Sequence, residues 1–275
     1  MSSSCLRAAV IQMSPGSVKS ANLEKAEGLI ARAVEDGAQL VSLPETFLYS
    51  GSHSEADMQA ISEEIPGPTS QWMSKLAKKH DIYFAGGSIF ETNPENPARA
   101  FNTSLVYDPK GNLLAKYRKN HLFSFEDEKK MSEASYQMPG KPEDLAVAKT
   151  PWGGMGLSIC YDLRFPLMYQ HYARSQEATM LMVPSKFLRV TGSHHWLPLL
   201  QARAIENQCF VIAANGCSEG KPAEYGHSLI IDPWGEILAQ LPTGEGYACA
   251  DLDFDRLASV RSKLPVLQTD TVMRI

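Results

Sequence analysis

The sequence predicts a layered α/β fold, with sheets covered by helices. Short apolar runs of strand character alternate with amphipathic stretches at helical spacing. Several apolar runs are also joined by tight turn residues, so βα units are mixed with hairpins and a purely parallel sheet is excluded. The chain has 275 residues, 44% hydrophobic and 21% charged, which suits one large domain spanning 1–275. No linker, low-complexity tract or fixed-period repeat divides it.

The elements follow in order. "LRAAVIQM" (6–13) reads as a strand. In "SANLEKAEGLIARAVEDG", Leu23, Ala26, Ile30, Ala33 and Val34 share one helical face, and Gly37 sits where a helix is capped. "QLVSLPE" (39–45) reads as a second strand, ending at Pro44-Glu45. "PTSQWMSKLAKKH" (68–80) reads as a helix opened by Pro68 and Thr69, and "IYFAGGSIF" (82–90) as one strand. Pro-Lys-Gly-Asn between two alternating runs marks a hairpin ending at "LLAKYRK". Residues 119 to 145 are polar, with no clear period; loops of that length often carry function. Then come strand "MGLSIC", helix "FPLMYQHYARSQ", strand "TMLMVPS", helix "HHWLPLLQARAIENQ", strand "CFVIAAN", hairpin "GHSLIID-PWG-EILAQL" and a last strand "GYACADLD".

Composition excludes several functions. A net charge of −5 argues against a broad nucleic-acid surface, which needs concentrated Lys and Arg. No apolar run is long enough to span a membrane, and no basic start followed by an apolar core marks a secretory leader. The cysteines fall at 5, 160, 209, 217 and 249, an odd number without a C-x-x-C pair. That favours neither a disulfide framework nor zinc, and a reduced, cytoplasmic setting is the expectation. Seven histidines without ligand-like spacing predict no metal site.

Three polar residues lie at or just beyond the ends of predicted strands: Glu45, Lys119 and Cys160. Ligand sites in α/β sheets gather beyond the carboxyl ends of strands, so converging ends would bring the three together. Together they could run acyl transfer. A nearby cation lowers a thiol's pKa, and Lys119 could supply it. Glu45 could take the thiol proton and return it to a leaving amine. Lys119 and the backbone N–H of Tyr161 could hold the oxyanion, each such donor being worth about 3 to 4 kcal/mol. Taken singly, each residue also has a plain reading: a small buried hydrophobe, a solvated loop acid, a basic run. Spacing alone does not choose, because nothing local forces three distant strand ends to meet.

The set "LPE" (43–45), "YRKNHL" (117–122) and "SICYDLRFP" (158–166) resembles the nitrilase, or carbon-nitrogen hydrolase, superfamily. The resemblance runs along essentially the whole chain, through "TGSHHW", "QARAIENQCFVIAAN", "YGHSLIIDPWGEIL" and "LPVLQ". It implies a cofactor-free amidase on an αββα four-layer sandwich that pairs into an eight-layer homodimer. It also implies roles: Glu45 as general base, Lys119 as catalytic lysine, Cys160 as nucleophile. A second catalytic glutamate lies shortly before a Pro-Gly in this family. Glu133 fits through its spacing to Pro139-Gly140, with Glu126 and Glu128 as competitors in the same acidic loop.

Within the family the motifs look most like omega-amidases and deaminated glutathione amidases, which hydrolyse a side-chain amide of a small acidic substrate. One departure stands out: in "VPSKFLRVTG", Lys186 replaces the small alanine usual in that branch, to reach a substrate carboxylate, to point into solvent or to narrow the pocket. Tyr49, Phe187 and Thr191 are further pocket candidates. Asp162 and Arg164 are expected to lock the turn after Cys160, Arg164 through an ion pair. His195 and Trp196 are expected to pack at a helix start, His121 to position the lysine loop, and His227 to hold a hydrogen bond behind the site. The same Glu-Lys-Cys set would also serve an N-carbamoyl amidohydrolase or a nitrilase, although nitrilases usually carry Trp and Glu where this chain has Tyr161 and Asp162. A non-catalytic interaction protein on this scaffold is the remaining alternative.

Overall fold

The structure, a computed structural model, describes residues 4–126, 131–218 and 223–268. Six helices occur among them: α1 (Lys19–Glu35), α2 (Glu55–Ile61), α3 (Pro68–His80), α4 (Pro166–Ser175), α5 (Arg189–Asn207) and α6 (Phe254–Lys263). Two large sheets stack between the helices. In the first, Gly246–Asp253 pairs antiparallel with Cys5–Gln12, which runs parallel to Leu40–Ser42 and on to Tyr83–Ala85 and the long hairpin Ala100–Tyr107/Leu113–Arg118. The second runs Val147–Thr150, Gly153–Leu157, Ala178–Met182, Phe210–Ala213, Leu229–Ile231, Ile237–Gln240.

The layer order follows from alternation along the first strand. Ala9, Ile11 and Met13 pack with Ala26, Ile30 and Ala33 of α1 and Met73 and Ala77 of α3. Ala8 and Val10 face the other way, into a cluster with Met155, Leu157 and Ile212 of the second sheet. Successive strand side chains point to opposite faces, so one strand serves two cores. Tyr169 and Tyr172 of α4 and Trp196 and Leu200 of α5 complete the second cluster. The result is helix–sheet–sheet–helix, the four-layer sandwich expected. Among the described residues no helix is long and apolar enough to cross a membrane.

Several expected elements differ. The run 82–90 is two strands, Tyr83–Ala85 and Ile89–Glu91. Gly87 breaks it at φ +60, a left-handed conformation open to glycine, and a Cβ there would collide with the carbonyl oxygen of Pro44. The break lets this backbone approach the segment carrying Glu45, and Ser88 Oγ accepts from Thr46 N–H at 3.0 Å. Helix α5 begins at Arg189, not at the histidines, so His195 and Trp196 lie within it rather than at its start. Gly192 permits that extra turn because a side chain there would strike the Tyr225 ring. Helices α2 and α6 were not anticipated; both are short and held by polar caps, Ser54 with Asp57 and Asp253. The described parts of 119–145 form short strand pairs and 3-10 turns rather than a free loop.

Candidate active site

Four elements bring the charged residues together. Glu45 lies in the turn after Leu40–Ser42, its N–H on Ser185 O at 3.4 Å. Lys119 follows Leu113–Arg118; its N–H donates to Asn102 O and its carbonyl accepts from Gly140 N–H, both at 2.8 Å. Glu133 opens a 3-10 turn, and its backbone N–H donates to Phe123 O at 2.9 Å. Cys160 opens another, Cys160–Arg164, three residues past the strand Gly153–Leu157.

Lys119 is the centre. Its ammonium, with no solvent exposure, donates to Glu45 Oε1 at 2.8 Å and to both Glu133 oxygens at 2.9 and 2.8 Å. Asn102 Nδ2 adds a bond to Glu45 Oε1 at 2.8 Å, and Phe123 N–H one to Glu133 Oε2 at 2.7 Å. Burial by itself would lower the Lys119 pKa, but the Glu133 and Glu45 carboxylates outweigh it and hold the lysine well above its ordinary value. Burial raises the Glu133 pKa, with Lys119 opposing.

The thiol behaves differently from the sequence expectation. Burial raises the Cys160 pKa, the Glu45 charge adds to that, and Lys119 offsets only part, so the thiol lies well above its usual value. One ammonium between two carboxylates leaves a net negative surrounding. Burial and the carboxylates therefore both favour the protonated thiol.

Cys160 sits at φ +49, a conformation that costs a non-glycine residue roughly 1–2 kcal/mol. Its N–H bond to Pro184 O at 2.9 Å helps hold it there. Tyr161 is second in the 3-10 turn, where a backbone N–H has no partner inside the helix. The thiol opens on a cavity of about 600 Å³, whose lining includes Glu45, Glu133, Tyr161, Lys186, Phe187 and Thr191.

A family model described as carbon-nitrogen hydrolase matches residues 7–262. A deaminated glutathione amidase of Synechocystis sp. is 41% identical over 266 residues, covering 95% of this chain and 96% of its own. The omega-amidase NIT2 of Homo sapiens is 38% identical over 266 residues, covering 95% and 94%. Among solved structures, Nit3 of Saccharomyces cerevisiae, titled a member of branch 10 of the nitrilase superfamily, superposes with TM-score 0.86 at 32% identity, covering 98% of this chain and 97% of its own. The C. elegans NitFhit protein gives TM-score 0.91 at 33% identity, covering 98% of this chain and 66% of its own.

The chain belongs to the carbon-nitrogen hydrolase family.

In this carbon-nitrogen hydrolase, Asp162 ties the cysteine turn to the lysine loop. Its fully buried carboxylate accepts from Ile159 N–H (2.9 Å) and Tyr117 OH (2.7 Å) through Oδ2, and from His121 N–H (3.0 Å) through Oδ1. His121 Nδ1 lies 2.7 Å from the same Oδ1, and its ring stacks on Phe165. Asp162 thus locks the turn as expected. Arg164 does not pair with a carboxylate among the described residues, against expectation. Its guanidinium lines the cavity, 3.1 Å from His195 Nδ1 and over the Tyr161 and Phe187 rings at 5.5 and 5.2 Å.

Tyr49 is a correction: it does not line the cavity but bonds Ser52 O at 3.0 Å and packs edge-on behind His53. Glu126 is exposed and outside the cavity lining, and Glu128 lies outside the described residues. Trp196 is buried, donating to His227 O at 2.8 Å; the His227 ring stacks on Tyr225. Sequence reasoning missed His53, Tyr136 and Glu224, all in the lining. They sit outside the family motifs used, in the loop before α2, in the acidic segment and just before "YGHS"; an acid immediately ahead of that motif was the one available signal. His53 stacks on Tyr136 at 4.1 Å, and burial, with the Lys186 charge, pushes its pKa down to about 4. No metal-binding group of His, Cys, Asp and Glu occurs among the described residues.

Proposed function

We propose that this carbon-nitrogen hydrolase is a cysteine-dependent amidase that hydrolyses the side-chain amide of a small acidic substrate, releasing ammonia from a primary amide or an amine from a substituted one, as the names of its omega-amidase and deaminated glutathione amidase relatives suggest. The observation that carries the catalytic assignment is the buried Lys119, clamped between Glu45 and Glu133 beside Cys160.

Cys160 Sγ attacks the amide carbonyl carbon while its proton passes to Glu45, whose bonds to Lys119 and Asn102 both fall on Oε1. Lys119 gives up one of its two Glu133 contacts and donates to the oxyanion, with Tyr161 N–H as second donor. Collapse breaks the C–N bond. Glu45 returns the proton to the nitrogen, and ammonia or the amine leaves a thioester on Cys160. Water then attacks, losing a proton to Glu45. The carboxylic product departs and the proton goes back to the thiolate. Glu133 keeps Lys119 charged and aimed throughout. Arg164 and Lys186 place two cations on the cavity wall, which favours an anionic substrate. Phe187 and Thr191 also line the cavity.

The test is ammonia release from alpha-ketoglutaramate, succinamate, an N-carbamoyl amino acid and a nitrile, and cysteinylglycine release from deaminated glutathione, with Cys160→Ala as control. Release from an acidic amide, lost in the variant, is expected. Turnover confined to the carbamoyl compound or the nitrile would overturn the substrate class. We also read the chain as one domain that pairs as a homodimer. The outer layer bears exposed Leu167 on α4 and Val190 on α5, and light scattering would give the mass.

A further inference from the structure

One pair in the cavity is left unexplained by this mechanism. Lys186 Nζ lies 3.4 Å from Glu224 Oε1, with the lysine side chain 21% exposed and the glutamate 5%. Charge-assisted bonds usually measure about 2.7–2.9 Å, so the two are held side by side rather than closed on each other. Local pairing fixes them there. Leu188 bridges antiparallel to Glu224, Arg189 N–H donates to Ala223 O and Tyr225 N–H to Phe187 O, both at 2.8 Å. Gly216 lets Glu224 lie close, because a Cβ there would meet Glu224 Oε2 at 2.5 Å.

Both side chains keep unused bonding capacity. Glu224 Oε2 is buried with no hydrogen-bond partner among the described residues. A carboxylate oxygen in that state is costly unless a donor reaches it. Glutamate's last torsion is broad and two-fold, so either oxygen can turn to the cavity. Lys186 has three N–H donors and this one long contact among its described ion pairs. Both residues line the cavity into which Cys160 opens, and at about 600 Å³ it has room beyond the reacting amide.

We propose that Lys186 and Glu224 form a specificity subsite for an α-amino-acid unit, with the substrate carboxylate on Lys186 and the nitrogen-borne hydrogen of the adjacent carbon on Glu224. The chemistry is shared by a free amino acid and by an N-acylated one, as at a peptide's carboxyl end. A keto acid offers the carboxylate but no donor, and leaves Glu224 unsatisfied. This rests on the amidase reading and names its substrate class: ω-amides whose far end is an α-amino acid.

The experiment compares kcat/KM for L-glutamine, N-acetyl-L-glutamine and alpha-ketoglutaramate in the wild type, Glu224→Gln and Lys186→Met. These substrates carry the same amide and differ at the α-position. The wild type is expected to favour one or both N–H-bearing amides over the keto acid; which one leads separates a free from an acylated unit. Glu224→Gln is expected to cut that preference about tenfold, as loss of a charged hydrogen bond does. Lys186→Met is expected to raise KM for all three. An unchanged preference in Glu224→Gln overturns the subsite while leaving the amidase intact. Failure of every amide counts against the amidase reading instead. The subsite is then read by calorimetry on Cys160→Ala, where glutamate binding no tighter than 2-oxoglutarate overturns it.

Discussion

Asp162→Asn isolates how the Cys160 turn is held. The change keeps the shape and removes one acceptor. In the native protein two backbone N–H groups converge on this carboxylate, Ile159 on Oδ2 at 2.9 Å and His121 on Oδ1 at 3.0 Å. An asparagine has one oxygen, so its NH2 must face one of these N–H groups in either orientation. Tyr117 OH can rotate to accept, but a backbone N–H cannot. A buried donor left without an acceptor costs about 1–3 kcal/mol, and bonds to a charged acceptor are worth about 1.5–3 kcal/mol. We expect a loss of about 3 kcal/mol, seen as a fall in Tm of roughly 6–12 °C at 2–4 °C per kcal/mol for a chain of this size. Because Asp162 joins the Cys160 turn to the Lys119 loop, kcat should fall at least about tenfold even where the variant is fully folded. Scanning calorimetry and ammonia release below the transition measure the two effects. A Tm within about 2 °C of wild type, with kcat unchanged, would refute the idea that this carboxylate organises the site.

Lys119→Met should abolish turnover and cost about 3–5 kcal/mol, because it leaves two buried carboxylates facing each other; urea unfolding checks it. Stability should depend on His53 at mildly acid pH. Its folded pKa is about 4 against 6.5 for a free histidine, so the unfolded chain binds a proton that the folded chain refuses between those values. Stability is therefore lost as pH falls from 6.5 toward 4. His53→Phe, which keeps an aromatic ring against Tyr136, should flatten that slope by about 1 kcal/mol after allowance for its partial exposure, read as urea midpoints at pH 4.5 and 7. Because burial and the carboxylates favour the protonated thiol, iodoacetamide should modify Cys160 slowly at pH 7 and faster as pH rises; rapid labelling at pH 7 would contradict the net negative surrounding.

The sequence by itself determined the layered α/β architecture and most of its elements. Period-2 and period-3.6 patterns are local, and a strand such as Cys5–Gln12 already encodes which residues face which core. It also singled out Glu45, Lys119, Glu133 and Cys160, through motifs whose order along the chain resembles a known family. Element boundaries escaped where tertiary contacts override propensity. Gly87 splits a strand because the Pro44 carbonyl lies against it, and α5 extends back to Arg189 because Gly192 fits under Tyr225.

Only the tertiary structure decided the electrostatics. Lys119, expected to activate the thiol by its charge, is taken up by two glutamates, and burial holds the thiol well above its usual pKa. Arg164 looked like a structural ion pair beside Asp162, yet Asp162 is occupied by Ile159, Tyr117 and His121, and the guanidinium is left for the cavity. Lys186 stood out in sequence, but its partner Glu224, 38 residues on, could not be paired with it by any local pattern. A charge's effect depends on what lies within a few ångströms and how little water is there, and neither is written in the order of residues.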